Sequence, residues 1–113
     1  MYEKFGQFID GNWQQSKDKG TYEVINPANE EIIGNVSKAT PDDVDAALKS
    51  AQKGLQVWKN TAPWQRSNIL RKIADKIREK QDTFAKWMTL EVGKPLAEGK
   101  GEAGGSADIF EWN

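Results

Sequence analysis

A chain of 113 residues without cysteine or histidine has no thiolate nucleophile, no imidazole base and no Cys/His zinc ligands. Its formal net charge of −1 gives no field for binding nucleic acid or acidic membranes, and no apolar run approaches the roughly 20 residues that cross a bilayer. We therefore expect a cytoplasmic protein of one domain or part of one, without a nucleic acid or membrane partner.

Residues 1–39 are predicted to form a β-ribbon. Asp10-Gly11 lies between short apolar segments, and this dipeptide favours a tight hairpin because glycine accepts a positive φ. Two further strands are predicted at 21–25 and 32–36, on either side of an Asn-Pro turn at 26–29. Two strands alone are unstable in water, so we expect the ribbon to pack against another element.

Residues 40–113 show helical periodicity instead. Thr40 followed by Pro41 predicts the start of a first helix, because a hydroxyl caps free N–H groups and proline fits the first turn. The apolar residues of this helix fall on one stripe, which consists of Val44, Ala47, Leu48, Ala51, Leu55 and Trp58.

Three more segments favour helices. A second helix is predicted from about Pro63 to Lys80, with Leu70, Ile73, Ala74 and Ile77 facing inward. Asp82 is predicted to cap a third, which Gly93 ends in a left-handed conformation. Residues 96–113 could form a fourth, although four glycines make it intrinsically poor. The predicted fold class is thus α+β, a ribbon followed by three or four helices.

The fourth segment contains a possible nucleotide-binding motif. Residues 99–104 match the G-x-G-x-x-G pattern, which brings backbone N–H groups onto a pyrophosphate when it follows a buried strand. Residues 93–98 contain no such strand, and Glu102 would place negative charge beside the phosphates. We therefore assign no cofactor-binding residue here and favour close packing or substrate access as the reason for the small residues.

Two other groups of side chains allow more than one interpretation. The basic residues of the second helix could bind phosphate, but interleaved Asp75 and Glu79 favour a solvated face with intrahelical ion pairs. The tryptophans could stack on bases or sugars, but Trp58, Trp64 and Trp87 lie on or beside apolar stripes, which favours core or interface packing.

Three runs of sequence resemble the opening of aldehyde dehydrogenases, most closely the succinate-semialdehyde dehydrogenase group. They are FIDGNW at 8–13, VINPAN at 24–29 and LEVGKPLAE at 90–98, and the resemblance covers nearly the whole chain in order. It implies that residues 1–113 are the N-terminal part of a cofactor-binding α/β domain, without its Rossmann sheet. Family members are several times longer and oxidise aldehydes, semialdehydes among them, with NAD or NADP.

The same resemblance implies that the catalytic cysteine, glutamate and asparagine all lie beyond Asn113. No catalytic residue is therefore assigned to this chain, and we expect it to be inactive alone and to bind no NAD or NADP. The expected partners are the remainder of the dehydrogenase polypeptide and further copies in a homo-oligomer. The alternative is a stand-alone, non-catalytic module that binds or regulates a partner.

One site is carried over from the resemblance. Many family members hold a monovalent cation between a backbone carbonyl beside the Asn-Pro turn and a carboxylate just before Gly-Lys-Pro. In this sequence these groups belong to Ile25 and Glu91, and hard cations prefer such oxygen ligands. The alternative role for Glu91 is capping or an ordinary salt bridge.

Overall fold

The computed structural model describes residues 6–113, so the first five residues of the predicted ribbon 1–39 lie outside it. The described strands are β1 (Gln7–Ile9), β2 (Asn12–Gln14), β3 (Thr21–Ile25) and β4 (Ile32–Ser37). The described helices are α1 (Pro41–Asn60), α2 (Pro63–Glu79), α3 (Gln81–Val92) and α4 (Leu96–Trp112). The predicted α+β class is confirmed, with four helices and two separate two-stranded antiparallel ribbons in this part of the chain.

Backbone contacts divide the chain into two compact units. The ribbon unit contains the described residues through Ile25 together with Glu31–Asn60, and thus all four strands and α1. The helical unit contains Asn26–Glu30 and Thr61–Asn113, and thus α2, α3 and α4. The prediction of one domain, with a ribbon at 1–39 and helices at 40–113, stays a prediction.

The Asp10-Gly11 hairpin has the predicted geometry. Ile9 pairs with Asn12, and the two residues between them have φ angles of 53° and 78°. Positive φ at both central positions matches the right-handed twist of the strands that they join. The rings of Phe8 and Trp13 lie opposite each other with their centroids 5.2 Å apart.

A buried polar cluster joins the N-terminus of α1 to the preceding loops of the ribbon unit. The Thr40 hydroxyl accepts a hydrogen bond from the Asp43 N–H (3.3 Å), and the Thr40 N–H donates to the Asp43 carboxylate (2.8 Å). This reciprocal pair is a capping box and confirms Thr40 as the N-cap. The Asp43 carboxylate also accepts from the Lys17 N–H, and the Ser16 N–H donates to Ser37 Oγ.

The helical unit is built around α4, which packs against both α2 and α3. Four alanines supply its fully buried apolar side chains, and they are Ala74, Ala85, Ala103 and Ala107. A Cβ atom added at Gly99 would lie 3.2 Å from both the Cα and the carbonyl oxygen of Ala85. The segment at 96–113 is therefore helical despite its glycines, because packing outweighs its poor propensity.

Some sequence-based expectations were wrong. Helix α3 begins at Gln81 with Lys80 at the N-cap and no side-chain capping bond, so Asp82 lies in the first turn and does not cap it. Ile73 was expected to face inward but is 37% exposed. Trp64 is 65% exposed, so of its two expected roles, core or interface packing, interface packing stays a prediction. Gly93 adopts the predicted left-handed conformation with a φ of 70°.

Candidate functional site

The glycine motif at 99–104 lies inside α4 and does not form a loop. Two of its glycines lie so close to a neighbouring helix that a side chain would have little room. Gly99 faces the backbone of α3, and a Cβ on Gly104 would lie 3.1 Å from the side-chain amide of Gln81. These two glycines therefore allow close helix packing, which is one of the two roles that the sequence favoured.

The other positions of the motif also lack the features of a phosphate site. A Cβ added at Gly101 would meet no atom of a neighbouring element within 4 Å, so this glycine faces open space. The Glu102 carboxylate forms an ion pair with Lys94, which neutralises the nearby cation. The motif thus provides no phosphate-binding loop in this part of the chain.

Two basic residues of α2, Lys76 and Arg78, make ion pairs with carboxylates. Lys76 pairs with Glu79 one turn away at 2.7 Å, as expected for a solvated helix face. The Arg78 guanidinium donates to Asp108 at 2.8 Å and also to Glu111, and it thereby joins the end of α2 to the end of α4. Hydrogen bonds to these carboxylates raise the pKa of Arg78. These contacts support the interpretation of a solvated, ion-paired face.

The two residues of the predicted cation site lie in different units. Ile25 ends β3 in the ribbon unit, at an irregularity in the β3–β4 pairing, and Glu91 lies exposed in the last turn of α3 in the helical unit. Within the helical unit, the Asn-Pro turn contacts the end of α3, where a Cβ on Gly93 would lie 3.3 Å from Pro27 Cγ. The cation site itself stays a prediction.

The most buried ionisable group of the ribbon unit is Asp43, whose residue is 8% exposed. Hydrogen bonds from the Thr40 N–H, and then from its hydroxyl, lower the pKa of this carboxyl below its ordinary value of 3.8. Together with the Lys17 N–H, these donors tie the carboxylate to the start of α1 and to the loop after β2. The Thr-x-x-Asp spacing at 40–43 is the sequence signal that could have identified this capping box.

The described residues 6–113 contain neither an acidic metal site nor a helix that could span a membrane. No group of three acidic side chains there is arranged to hold a metal ion. None of the helices in the same part of the chain is both long enough and apolar enough to span a membrane. Hydroxyl and carboxylate groups that do meet, such as Ser16 and Asp18 at 3.2 Å, organise turns.

Comparisons with known proteins identify the family of this chain. The model of the aldehyde dehydrogenase family matches residues 13–113. Glutarate-semialdehyde dehydrogenase of Pseudomonas aeruginosa is 41% identical over 93% of this chain and 22% of its own length. The NADP⁺-dependent succinate-semialdehyde dehydrogenase of Escherichia coli is 39% identical over 92% of this chain and 22% of its own length.

Solved structures show the same relationship. Betaine aldehyde dehydrogenase from Staphylococcus aureus, in complex with NAD⁺, superimposes with a TM-score of 0.91 at 33% identity over 96% of this chain. The match covers 22% of that structure. The chain therefore belongs to the aldehyde dehydrogenase family, and it spans about a fifth of the length of the relatives that it matches.

Proposed function

We propose that this chain is the N-terminal scaffold segment of an enzyme that oxidises an aldehyde to the carboxylic acid with NAD or NADP. The observation that carries the proposal is the family match over residues 13–113 at about a fifth of the relatives' length. The semialdehyde dehydrogenases among these relatives favour a semialdehyde substrate. A cysteine nucleophile then comes from the rest of the polypeptide, because this chain has no cysteine, and the same proposal assigns the nucleotide-binding groups to that part.

The exposed apolar side chains of both units support this role. Large apolar residues that are more than half exposed include Leu48, Leu55, Trp64, Ile109 and Trp112. A folded segment with large apolar side chains exposed on its surface is expected to bury them against other protein. Cytoplasmic location and assembly into a homo-oligomer belong to the same proposal.

A chimera tests the proposal directly. The chain replaces the matching fifth of the Escherichia coli succinate-semialdehyde dehydrogenase, and turnover is followed by the absorbance of reduced nicotinamide with succinate semialdehyde and NADP⁺. We expect the chimera to turn over and the 113-residue chain alone to be inactive. A folded but inactive chimera contradicts the scaffold role, and turnover by the chain alone, above a mock purification, contradicts the absence of catalytic groups.

The stand-alone module makes a different prediction for the natural product. If the chain is a segment of the enzyme, its coding sequence continues into a cysteine-containing region, and the intact mass of the natural protein is several times that of this chain. A natural product with the mass of the 113 residues would support the binding or regulatory module instead.

A further inference from the structure

An apolar groove with a basic rim runs along α2 in the helical unit. Its floor is formed by Ile69, Ile73 and Ile77 of α2 and by Phe84 of α3, and its volume is about 470 Å³. A smaller cavity of about 200 Å³ shares Ile77 and Phe84 and extends the apolar surface to α4. Ile69 and Ile73 are 43% and 37% exposed, so the groove is open to solvent.

The rim of the groove carries positive charge. The polar residues that line it are Lys72, Lys76 and Lys80, and no carboxylate of residues 6–113 lines it. Lys76 is paired with Glu79, whereas Lys72 and Lys80 make no ion pair with another described residue. The groove thus combines an apolar floor with two uncompensated cations, which complements an apolar ligand that carries carboxylates along one edge.

The spacing of these residues indicates the shape of that ligand. The isoleucines and the lysines each recur every four residues, so each row spans about 12 Å along the helix axis. A ligand with a single carboxylate would use only one end of such a row. The described helical unit also contains no strand to which an extended segment could add. An amphipathic helix with carboxylates beside its apolar stripe satisfies both rows at once.

We propose that this groove, named here the isoleucine groove, binds an amphipathic helix with an acidic edge. We further propose that the helix comes from the polypeptide that follows this segment in the longer enzyme, an assignment that rests on the proposed function. The relatives have more than three quarters of their length outside the matched segment, which leaves ample chain to supply it.

Charge preference is tested with two synthetic peptides. Both are helices of about 18 residues with the same leucine stripe, and they differ only in carrying either glutamate or lysine along one edge. Each peptide is titrated into the isotope-labelled 113-residue chain, and the glutamate peptide should shift the amide resonances of Ile69–Lys80. Its affinity should be roughly tenfold above that of the lysine peptide and should decrease as salt is added. Equal affinities would overturn the acidic edge.

Reversal of the rim charge gives a matched control. The triple variant Lys72→Glu, Lys76→Glu, Lys80→Glu should reverse the preference between the two peptides. The triple variant Lys49→Glu, Lys53→Glu, Lys59→Glu makes the same change in net charge on α1 and should retain the original preference. If circular dichroism shows that the first variant does not fold, the milder double variant Lys72→Gln, Lys80→Gln takes its place. This double variant should bind the glutamate peptide more weakly than the original chain does. Unchanged affinity would contradict the proposal.

The source of the helix is tested by thiol protection, because the chain contains no cysteine. Ile73→Cys lies in the groove, and Asn68→Cys lies on another part of the same helix. Both should react with iodoacetamide in the 113-residue chain, whereas in the chimera only position 68 should react, as located by peptide mass spectrometry.

The outcomes separate the two proposals. An active chimera in which position 73 still reacts overturns the groove proposal and leaves the proposed function intact. Protection at position 73 in an inactive chimera supports the groove while the proposed function fails. Protection of the 113-residue chain that increases with its own concentration identifies a second copy as the occupant and overturns the proposed source.

Discussion

Each of the two units is stabilised internally by a different kind of interaction. In the helical unit the buried side chains are alanines, and glycine brings one helix onto the backbone of another. In the ribbon unit the most buried polar residues are Ser16 and Asp43, which join loops to the start of α1. Close backbone approach depends on side-chain volume, whereas the polar cluster depends on paired donors and acceptors. The two units should therefore respond to different substitutions.

The largest loss of stability is expected from adding a side chain at the tight helix contact of Gly99. Gly99→Leu places a side chain against the Ala85 backbone, where even a Cβ atom would lie at 3.2 Å. We expect the free energy of unfolding to decrease by roughly 2–3 kcal/mol, because a packed interior accommodates extra atoms only by shifting. Urea unfolding measures the change, and hydrogen exchange should locate it in α3 and α4. An unchanged midpoint, or a loss confined to the ribbon unit, would contradict close packing at Gly99.

The next effect concerns the polar cluster. Thr40→Ala removes the hydroxyl that accepts from the Asp43 N–H and donates to the Asp43 carboxylate. Loss of an N-cap typically costs about 1 kcal/mol, and we expect faster hydrogen exchange in the first turn of α1. Thr40→Ser retains the hydroxyl and is the matched control, with near-original stability. Equal losses in both variants would indicate that the methyl group, and not the capping bond, is what the fold requires.

Local chemistry accounts for what could be predicted from the sequence. The Asp10-Gly11 turn, the Thr40 cap and the Gly93 helix end each depend on a few neighbouring residues, and all three were confirmed. Ile73 was expected to face inward because it lies on an apolar stripe, yet it is 37% exposed. Periodicity identifies an apolar face but does not show whether a neighbouring element covers it.

The candidate site was less predictable than the fold. The polar cluster around Ser16 and Asp43 joins loops that are far apart in the sequence, and the isoleucine groove is formed by residues of both α2 and α3. No short sequence motif identifies the polar cluster or the groove, apart from the Thr-x-x-Asp spacing at the start of α1. Ile25 and Glu91 were inferred from a family resemblance, and their joint role stays a prediction for that reason.

A smaller effect of opposite sign is expected on the exposed side of α4. Gly101→Ala and Gly105→Ala each add a methyl group where no atom of a neighbouring element lies within 4 Å. Each should raise the free energy of unfolding by up to about 1 kcal/mol, because alanine loses less conformational freedom than glycine in a helix. Thermal unfolding of the single variants measures the gain. A loss of stability at these positions would show that propensity does not limit α4.

The smallest expected effect is on how the free energy of unfolding depends on pH in the acid range. Hydrogen bonds from Thr40 lower the pKa of Asp43 in the folded chain below its ordinary value of 3.8. The folded state therefore favours the ionised carboxylate, and the stability it supplies is present above pH 3.8 and lost as the pH falls through the lowered pKa. Asp43→Asn should flatten the dependence of unfolding on pH in this acid range. Asp45→Asn removes an exposed carboxylate from the same helix and is the matched control for the loss of one negative charge. If both variants keep the original slope, Asp43 is not the group that links the ribbon unit to pH.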